Sequence, residues 1–138
     1  MTVTQSWQRN GTAEFTVRPA PSVTVITAHG ELDAANANQL TVFVERCVHH
    51  SNRVFVDLRG LDFFGTAGFS ALHRINVVCS SAGVQWVLVA GSAVYRILRI
   101  CDPDGTLPTT TSLPEWELGD GTQQPPGLGL LQLVPQPR

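Results

Sequence analysis

The polar side chains that could do chemistry are scattered along this sequence, and none falls into a catalytic or metal-binding spacing. Ser92 follows Gly91 without the pattern of a nucleophile elbow, and no phosphate loop of the GxxxxGK or GxGxxG kind occurs. The four histidines show no HExxH or comparable metal spacing. Glu31 and Asp33 are carboxylates one residue apart, which indicates little on a loop. We therefore expect a protein that is not an enzyme and that uses no metal or cofactor.

Three cysteines, Cys47, Cys79 and Cys101, lie far apart without a CxxC spacing. An odd, dispersed set is typical of reduced thiols and not of a disulfide framework. Each falls on the apolar face of a predicted helix, so buried and inert thiols are expected. Cys101 lies beside a loop, and a redox role there is the alternative.

The composition indicates one folded domain without a nucleic-acid or membrane signature. Of 138 residues, 43% are hydrophobic and 14% are charged, which is enough apolar material for one core. The net charge of -2 is spread along the chain without a run of Lys or Arg, so nucleic acid is a poor partner. The start is polar and no apolar stretch reaches about 18 residues, so a cytoplasmic protein without a signal peptide or membrane span is predicted.

Hydrophobic periodicity predicts strands and helices in alternation. Residues 13–29 alternate as a strand pair or hairpin, and residues 54–58 and 84–90 are short apolar runs typical of buried strands. Residues 107–109 could add a short edge strand. Apolar residues at helical spacing predict three helices: one from Ala37, one over residues 66–82 and one from Gly91 to Cys101. Asp33 and Thr66 are the expected N-caps of the first two helices, and Gly83 is the expected end of the second.

The domain is predicted to span residues 10–118, with one further turn of helix over residues 113–118. Residues 119–138 are rich in Gly, Pro and Gln and are interpreted as a flexible tail. Within this tail, the apolar run 128–134 could dock on the domain or on a partner.

This element order predicts a single α/β domain with a mixed central sheet of about four to five strands and helices mainly on one face. Ligands and partners of such sheets tend to meet the loops after the carboxyl ends of the strands. Those loops are residues 30–33, 60–66 and 90–92.

Two of these loops carry a resemblance to a known family. Gly30-Glu31-Leu32-Asp33 precedes the first predicted helix, and residues 54–72 read VFVDLRGLDFFGTAGFSAL. Together they resemble the STAS domain, which is shared by sulphate-transporter tails and anti-sigma-factor antagonists. That family has Gly-Glu-Leu-Asp before its first helix and a Phe-(Ile/Met)-Asp-Ser-Ser-Gly-Leu turn at the start of its second.

The resemblance implies an antagonist that binds an anti-sigma factor with a GHKL-type serine/threonine kinase domain and so releases a sigma factor. In the family, the first hydroxyl of the turn is phosphorylated by the partner, and by position that hydroxyl is Thr66. A phosphate there adds about -1.5 to -2 charges and would expel the partner. The implied partner-binding residues are Glu31, Asp33, Asp62, Phe64, Gly65, Thr66, Ala67, Gly68 and Phe69.

The sequence departs from the family at Gly65, where the family has Asp. A carboxylate there could orient the hydroxyl or help to position a metal-bound nucleotide, and glycine does neither. Phosphorylation of Thr66 and a phosphorylation-independent antagonist therefore stay open. Plain structural roles also stay open: Thr66 and Asp33 as helix caps, Gly68 for close packing, and Phe64 or Phe69 in the core. The alternative function is a STAS-type sensor of a small ligand or nucleotide, although residues 61–70 contain no cation that would bind a phosphate.

Overall fold

The structure is a computed structural model that describes residues 6–10, 13–18 and 22–113. These residues form six strands, three α-helices and a 3₁₀ helix at Val48–His50. The strands are β1 (Ser6–Asn10), β2 (Ala13–Arg18), β3 (Val23–Leu32), β4 (Arg53–Phe64), β5 (Gln85–Val89) and β6 (Thr109–Thr110). The helices are α1 (Ala37–Cys47), α2 (Thr66–Ala82) and α3 (Ser92–Cys101).

The six strands form one mixed sheet whose spatial order follows the chain. β1, β2 and β3 are antiparallel neighbours, whereas β3, β4, β5 and β6 run parallel with helices in the connections. The mixed sheet and the leading hairpin are confirmed. The sheet has six strands where four to five were predicted, and the additional strand is β1. Its sequence shows no alternation of apolar and polar residues, but it pairs with β2 along its full length. β6 starts two residues later and ends one residue later than the predicted 107–109.

The core lies between the sheet and the three helices, which confirms the prediction that the helices pack mainly on one face. Alternate strand residues such as Ile26 and Val56 are fully buried there against Leu40, Leu72 and Val94 of the helices. Each such side chain stabilises the fold by about 1.5–3 kcal/mol relative to an exposed one. A smaller cluster on the opposite face of the sheet contains Val25, Phe55, Val89 and Leu113.

Two predicted helix caps are wrong by one to three residues. Asp33 is not the N-cap of α1, because residues 33–36 form a separate turn and Asn36 holds the cap position. Thr66 is the first residue of α2, and the extended backbone that defines the cap falls on Gly65. At the other end, Gly83 has φ +70° and closes α2 in the left-handed conformation, as predicted.

The predicted placement of the three cysteines on helices is confirmed, since they lie on α1, α2 and α3. Cys47 and Cys79 are buried, and burial raises the pKa of the Cys79 thiol to about 11. Cys101 is half-buried, and none of the three is in a disulfide. Apart from Leu113, the predicted helical turn at residues 113–118 and the tail 119–138 lie outside the described residues.

Within the described ranges, no helix is long and apolar enough to cross a membrane. In the same part of the chain, no group of three or more His, Cys, Asp or Glu side chains could hold a metal ion.

Candidate functional site

The two sequence motifs lie side by side because they are the ends of neighbouring parallel strands. β3 continues to Leu32 and β4 to Phe64, so that Glu31 pairs with Phe63 and Leu32 with Phe64. Beyond the last pair, the N–H of Gly65 donates a hydrogen bond of 3.1 Å to the carbonyl oxygen of Leu32. The segments that were predicted as two loops therefore form one continuous edge of the sheet.

Two β-bulges shape this edge. Between Thr27 and His29, and again between Gly30 and Glu31, the pairing places one extra residue on β4. Gly30 has φ +97°, a conformation that favours glycine. Gly60 lies so close to the ring of His29 that a Cβ atom at residue 60 would be 2.2 Å from His29 Nδ1. Gly60 thus permits a close approach of β3 and β4, and Gly30 permits the backbone conformation at the second bulge.

The turn from β3 into α1 is held by Asn36, which the sequence analysis did not select. Its side-chain Oδ1 accepts from the N–H of Asp33 at 2.9 Å, and its Nδ2 donates to the carbonyl oxygen of Glu31 at 3.0 Å. Asp33 Oδ1 in turn accepts from the N–H of Ala35 at 2.9 Å. Asn36 is only 5% exposed. An Asn directly before the first helical apolar residue, Ala37, is the signal that could have identified it.

We call the exposed end of the two strands the β3–β4 tip, defined by Glu31, Asp62, Phe63, Gly65 and Thr66. Glu31, Asp62 and Thr66 are exposed, and Phe63 is 48% exposed. Gly65 is half-buried, as is the neighbouring Asp33. The tip combines carboxylates, a hydroxyl and one aromatic ring on a surface open to solvent.

Phe63, and not Phe64, presents an aromatic ring to solvent. Phe64 is 3% exposed and belongs to the core, so its expected contact with a partner is corrected. The cause is the pair of bulges, because each one shifts the alternation of side chains between the two faces of β4 by one residue. Leu61, which lies between the bulges, therefore points into the core, and so does Phe64, which follows the second bulge. The exposed Phe63 was missed because the predicted strand ended at residue 58.

Gly68 is also a packing residue, which corrects its assignment to the partner surface. It is buried, and a Cβ atom there would lie 2.4 Å from Cε1 of Phe64. Glycine therefore lets α2 pack directly against the Phe64 ring. Ala67 and Phe69 are partly buried against the same core, and the Phe69 ring makes an edge contact with His73 at 4.7 Å between centroids.

Thr66 lies at the start of α2, where the helix dipole favours negative charge. Its neighbour Gly65 has an extended backbone, with φ -94° and ψ -178°, that any residue can adopt. A Cβ atom at Gly65 would lie 3.3 Å from Cε2 of Phe63, which is close but movable because that ring is half exposed. The backbone therefore does not require glycine in place of the family's Asp.

Two cavities in the described part of the chain lie away from the tip. One of about 450 Å³ is lined by residues such as Asn76 and Trp86, and one of about 550 Å³ lies beside α3 and β6. Neither is lined by a tip residue.

Comparison with known proteins identifies the fold and the family together. The STAS domain model matches residues 14–115, and the chain belongs to the STAS domain family. The β3 and β4 segments that form the tip both lie inside the matched range.

Two relatives come from Mycobacterium tuberculosis. Osmosensory protein A is 45% identical over 75 residues, which cover 54% of this chain and 48% of that protein, so the match spans about half of that relative. Anti-sigma-F factor antagonist RsfA is 32% identical over 97 residues, covering 67% of this chain and 76% of that protein.

Solved structures show the same fold at low identity. An anti-sigma factor antagonist from Mycobacterium paratuberculosis has a TM-score of 0.57 and 21% identity, covering 81% of this chain and 88% of that one. The unphosphorylated anti-sigma factor antagonist SpoIIAA has a TM-score of 0.59 and 12% identity, covering 83% and 93%. These likenesses support the architecture alone.

Proposed function

We propose that this protein is an anti-sigma-factor antagonist that binds a kinase-type anti-sigma factor through the β3–β4 tip and so releases a sigma factor. Membership of the STAS family and the relative described as an anti-sigma-F factor antagonist support this role. The proposal places the protein in the cytoplasm, where transcription begins.

The main support for the proposal is that the two sequence motifs, residues 30–33 and the start of α2, lie side by side at one exposed end of the sheet. The Gly65–Leu32 hydrogen bond joins them, and Glu31, Asp62 and Phe63 are presented together. An exposed aromatic ring among charged groups is typical of a protein-binding surface, in which the ring is buried at the centre and the charges select the partner. A partner surface with cations around an apolar pocket fits this chemistry.

Phosphorylation of Thr66 is the regulatory part of the proposal. A phosphate would add about -1.5 to -2 charges to a tip that already carries the carboxylates of Glu31 and Asp62. The sequence from Gly60 to His73 contains no Lys or Arg, so the added charge has no cation nearby along the chain. A partner that covers the tip would have to desolvate this charge, and binding would weaken.

Gly65 is part of the proposed binding surface, and it also bears on the chemistry of phosphorylation. Without a carboxylate at residue 65, neither the Thr66 hydroxyl nor a metal-bound nucleotide is positioned from this side. The geometry of the tip supports binding whether or not Thr66 accepts a phosphate. Slow phosphorylation, or its absence, is thus compatible with the antagonist role.

The experiment combines a binding titration with intact-mass measurement. The full chain is titrated against kinase-type anti-sigma factors, including the anti-sigma-F factor, and each pair is then incubated with Mg-ATP. We expect saturable binding that Thr66→Glu weakens at least tenfold. Ser81→Glu is the matched control: it adds the same charge at an exposed residue near the opposite end of α2 and should leave binding unchanged.

Each outcome has a distinct meaning. A phosphate-sized mass gain at Thr66 with loss of binding would support the complete switch. Tight binding without a mass gain would support a phosphorylation-independent antagonist. No saturable binding to any of these anti-sigma factors would contradict the proposed function, and equal effects of Thr66→Glu and Ser81→Glu would contradict the role of the tip.

A further inference from the structure

A groove of about 550 Å³ lies between α3 and the edge strand β6, away from the β3–β4 tip. Leu98 and Leu107 line it and are almost completely buried, at 6% and 4% exposure. Tyr95 also lines it and is 52% exposed, a large exposed fraction for an aromatic side chain. The groove thus combines an apolar floor with an aromatic wall.

The backbone of β6 borders this groove, and within the described ranges some of its N–H and C=O groups are not bonded to a neighbouring strand. The carbonyl oxygens of Pro108 and Thr110 accept from the N–H groups of Leu88 and Ala90 on β5, at 2.7 and 2.9 Å. Successive residues of a strand direct their backbone groups to opposite sides, so those of Thr109 point away from β5. β6 is the last strand of the sheet in the described part of the chain, and this side is open to another strand.

Two charged residues line the groove, Asp102 and the exposed Arg99, and the Asp102 carboxylate is already occupied. Asp102 Oδ1 accepts from the N–H of Thr106 at 2.9 Å and from its hydroxyl at 2.6 Å, while Oδ2 accepts from the N–H of Leu107 at 3.1 Å. These bonds lower the pKa of Asp102 and close the loop 102–107. Besides these two charged residues, the groove offers an edge strand and an apolar floor, which suit an extended apolar segment.

The chain itself contains such a segment. Residues 128–134 read LGLLQLV and carry no charge, and prolines at Pro126 and Pro135 bound them. They lie outside the described residues. The fourteen residues 114–127 join them to Leu113, a tether whose r.m.s. span is about 20 Å when flexible. A tether of that length holds the segment near the domain at an effective concentration on the order of 1 mM.

We propose that residues 128–134 bind to this groove in the same molecule, adding a strand to β6 and placing leucine side chains against Leu98 and Tyr95. Main-chain bonds to Thr109 would set the position of the added strand, and the apolar floor would select its side chains. The domain thereby covers its own open sheet edge, which would otherwise be available for pairing with another chain.

Hydrogen exchange of the full chain, compared with a chain ending at Gly127, tests the proposal. We expect exchange at the Thr109 amide to be roughly tenfold slower in the full chain, because an added strand protects that N–H. The double variant Leu131→Asp/Leu133→Asp should abolish this protection without truncation. Tyr95→Ala should reduce it, whereas Ile100→Ala should not, because Ile100 is 72% exposed on the same helix but does not line the groove.

Equal exchange at Thr109 in the full and truncated chains would overturn the proposal. So would a protection that fades on dilution, because the strand would then come from a second copy of the chain. Protection that is independent of concentration and sensitive to Tyr95→Ala would support it.

Discussion

The adjacent phenylalanines Phe63 and Phe64 should respond in opposite ways to the same substitution. Phe63 is 48% exposed at the tip and Phe64 is 3% exposed in the core. Phe64→Ala should cost about 3–5 kcal/mol of unfolding free energy, as is usual for a buried ring. Phe63→Ala should cost about 1–2 kcal/mol, because only half of its ring is removed from water.

Binding should show the reverse order. A phenylalanine buries about 150–250 Å² when fully covered, so the exposed part of Phe63 leaves about 70–120 Å² for a partner to cover. At about 25 cal/mol per Å² this area is worth about 2–3 kcal/mol. Phe63→Ala should therefore raise the dissociation constant for the anti-sigma factor roughly 30- to 150-fold.

The assay is urea unfolding of each variant, followed by a titration of the folded ones with the anti-sigma factor. Phe69→Ala is a useful comparison, because its partly buried ring faces His73 and the core. If Phe63→Ala left the dissociation constant unchanged while remaining folded, the assignment of the exposed ring to the partner surface would be refuted.

Three further predictions follow from named atoms. Gly65→Asp should fold normally, stabilise α2 by a few tenths of a kcal/mol as a better N-cap, and speed any phosphorylation of Thr66 in a kinase assay. At pH 8, iodoacetamide should label Cys101 in the native protein, and Cys47 only after unfolding, as mass spectrometry of peptides would show. Burial raises the pKa of Cys79 from 9.0 to about 11, so its thiol ionises at lower pH in the unfolded state than in the folded state. The contribution of Cys79 to stability should therefore fall as pH rises from 9 to 11, by at most about 1.4 kcal/mol per pH unit. In urea unfolding at several pH values, Cys79→Ala should reduce this slope and leave the part that is due to Cys47, whose pKa burial also raises.

Most of the architecture follows from periodicity, because the strands and helices that form the core keep a regular pattern of burial. Val54, Val56 and Leu58 alternate as a buried strand, and the apolar positions of the helices repeat at helical spacing. β1 was missed since its polar residues carry no such pattern and pair with β2 through backbone bonds.

The details of the site were harder to predict because they depend on bulges and on contacts distant in sequence. The sequence motif located the tip, but only the register between β3 and β4 shows that Phe64 turns inward and Phe63 outward. Gly68 resembled part of a binding loop until the Phe64 ring was found against it. Asn36 carries a local signal that was overlooked in favour of Asp33.

The central claim, release of a sigma factor, is tested most directly on a preformed complex of the anti-sigma-F factor with a fluorescently labelled sigma factor. Adding the full chain and following fluorescence anisotropy should show a fall to the value of free sigma factor near one equivalent, with the Phe63→Ala variant needing a large excess. An unchanged anisotropy at saturating protein, or equal potency of the wild type and Phe63→Ala, would contradict the account.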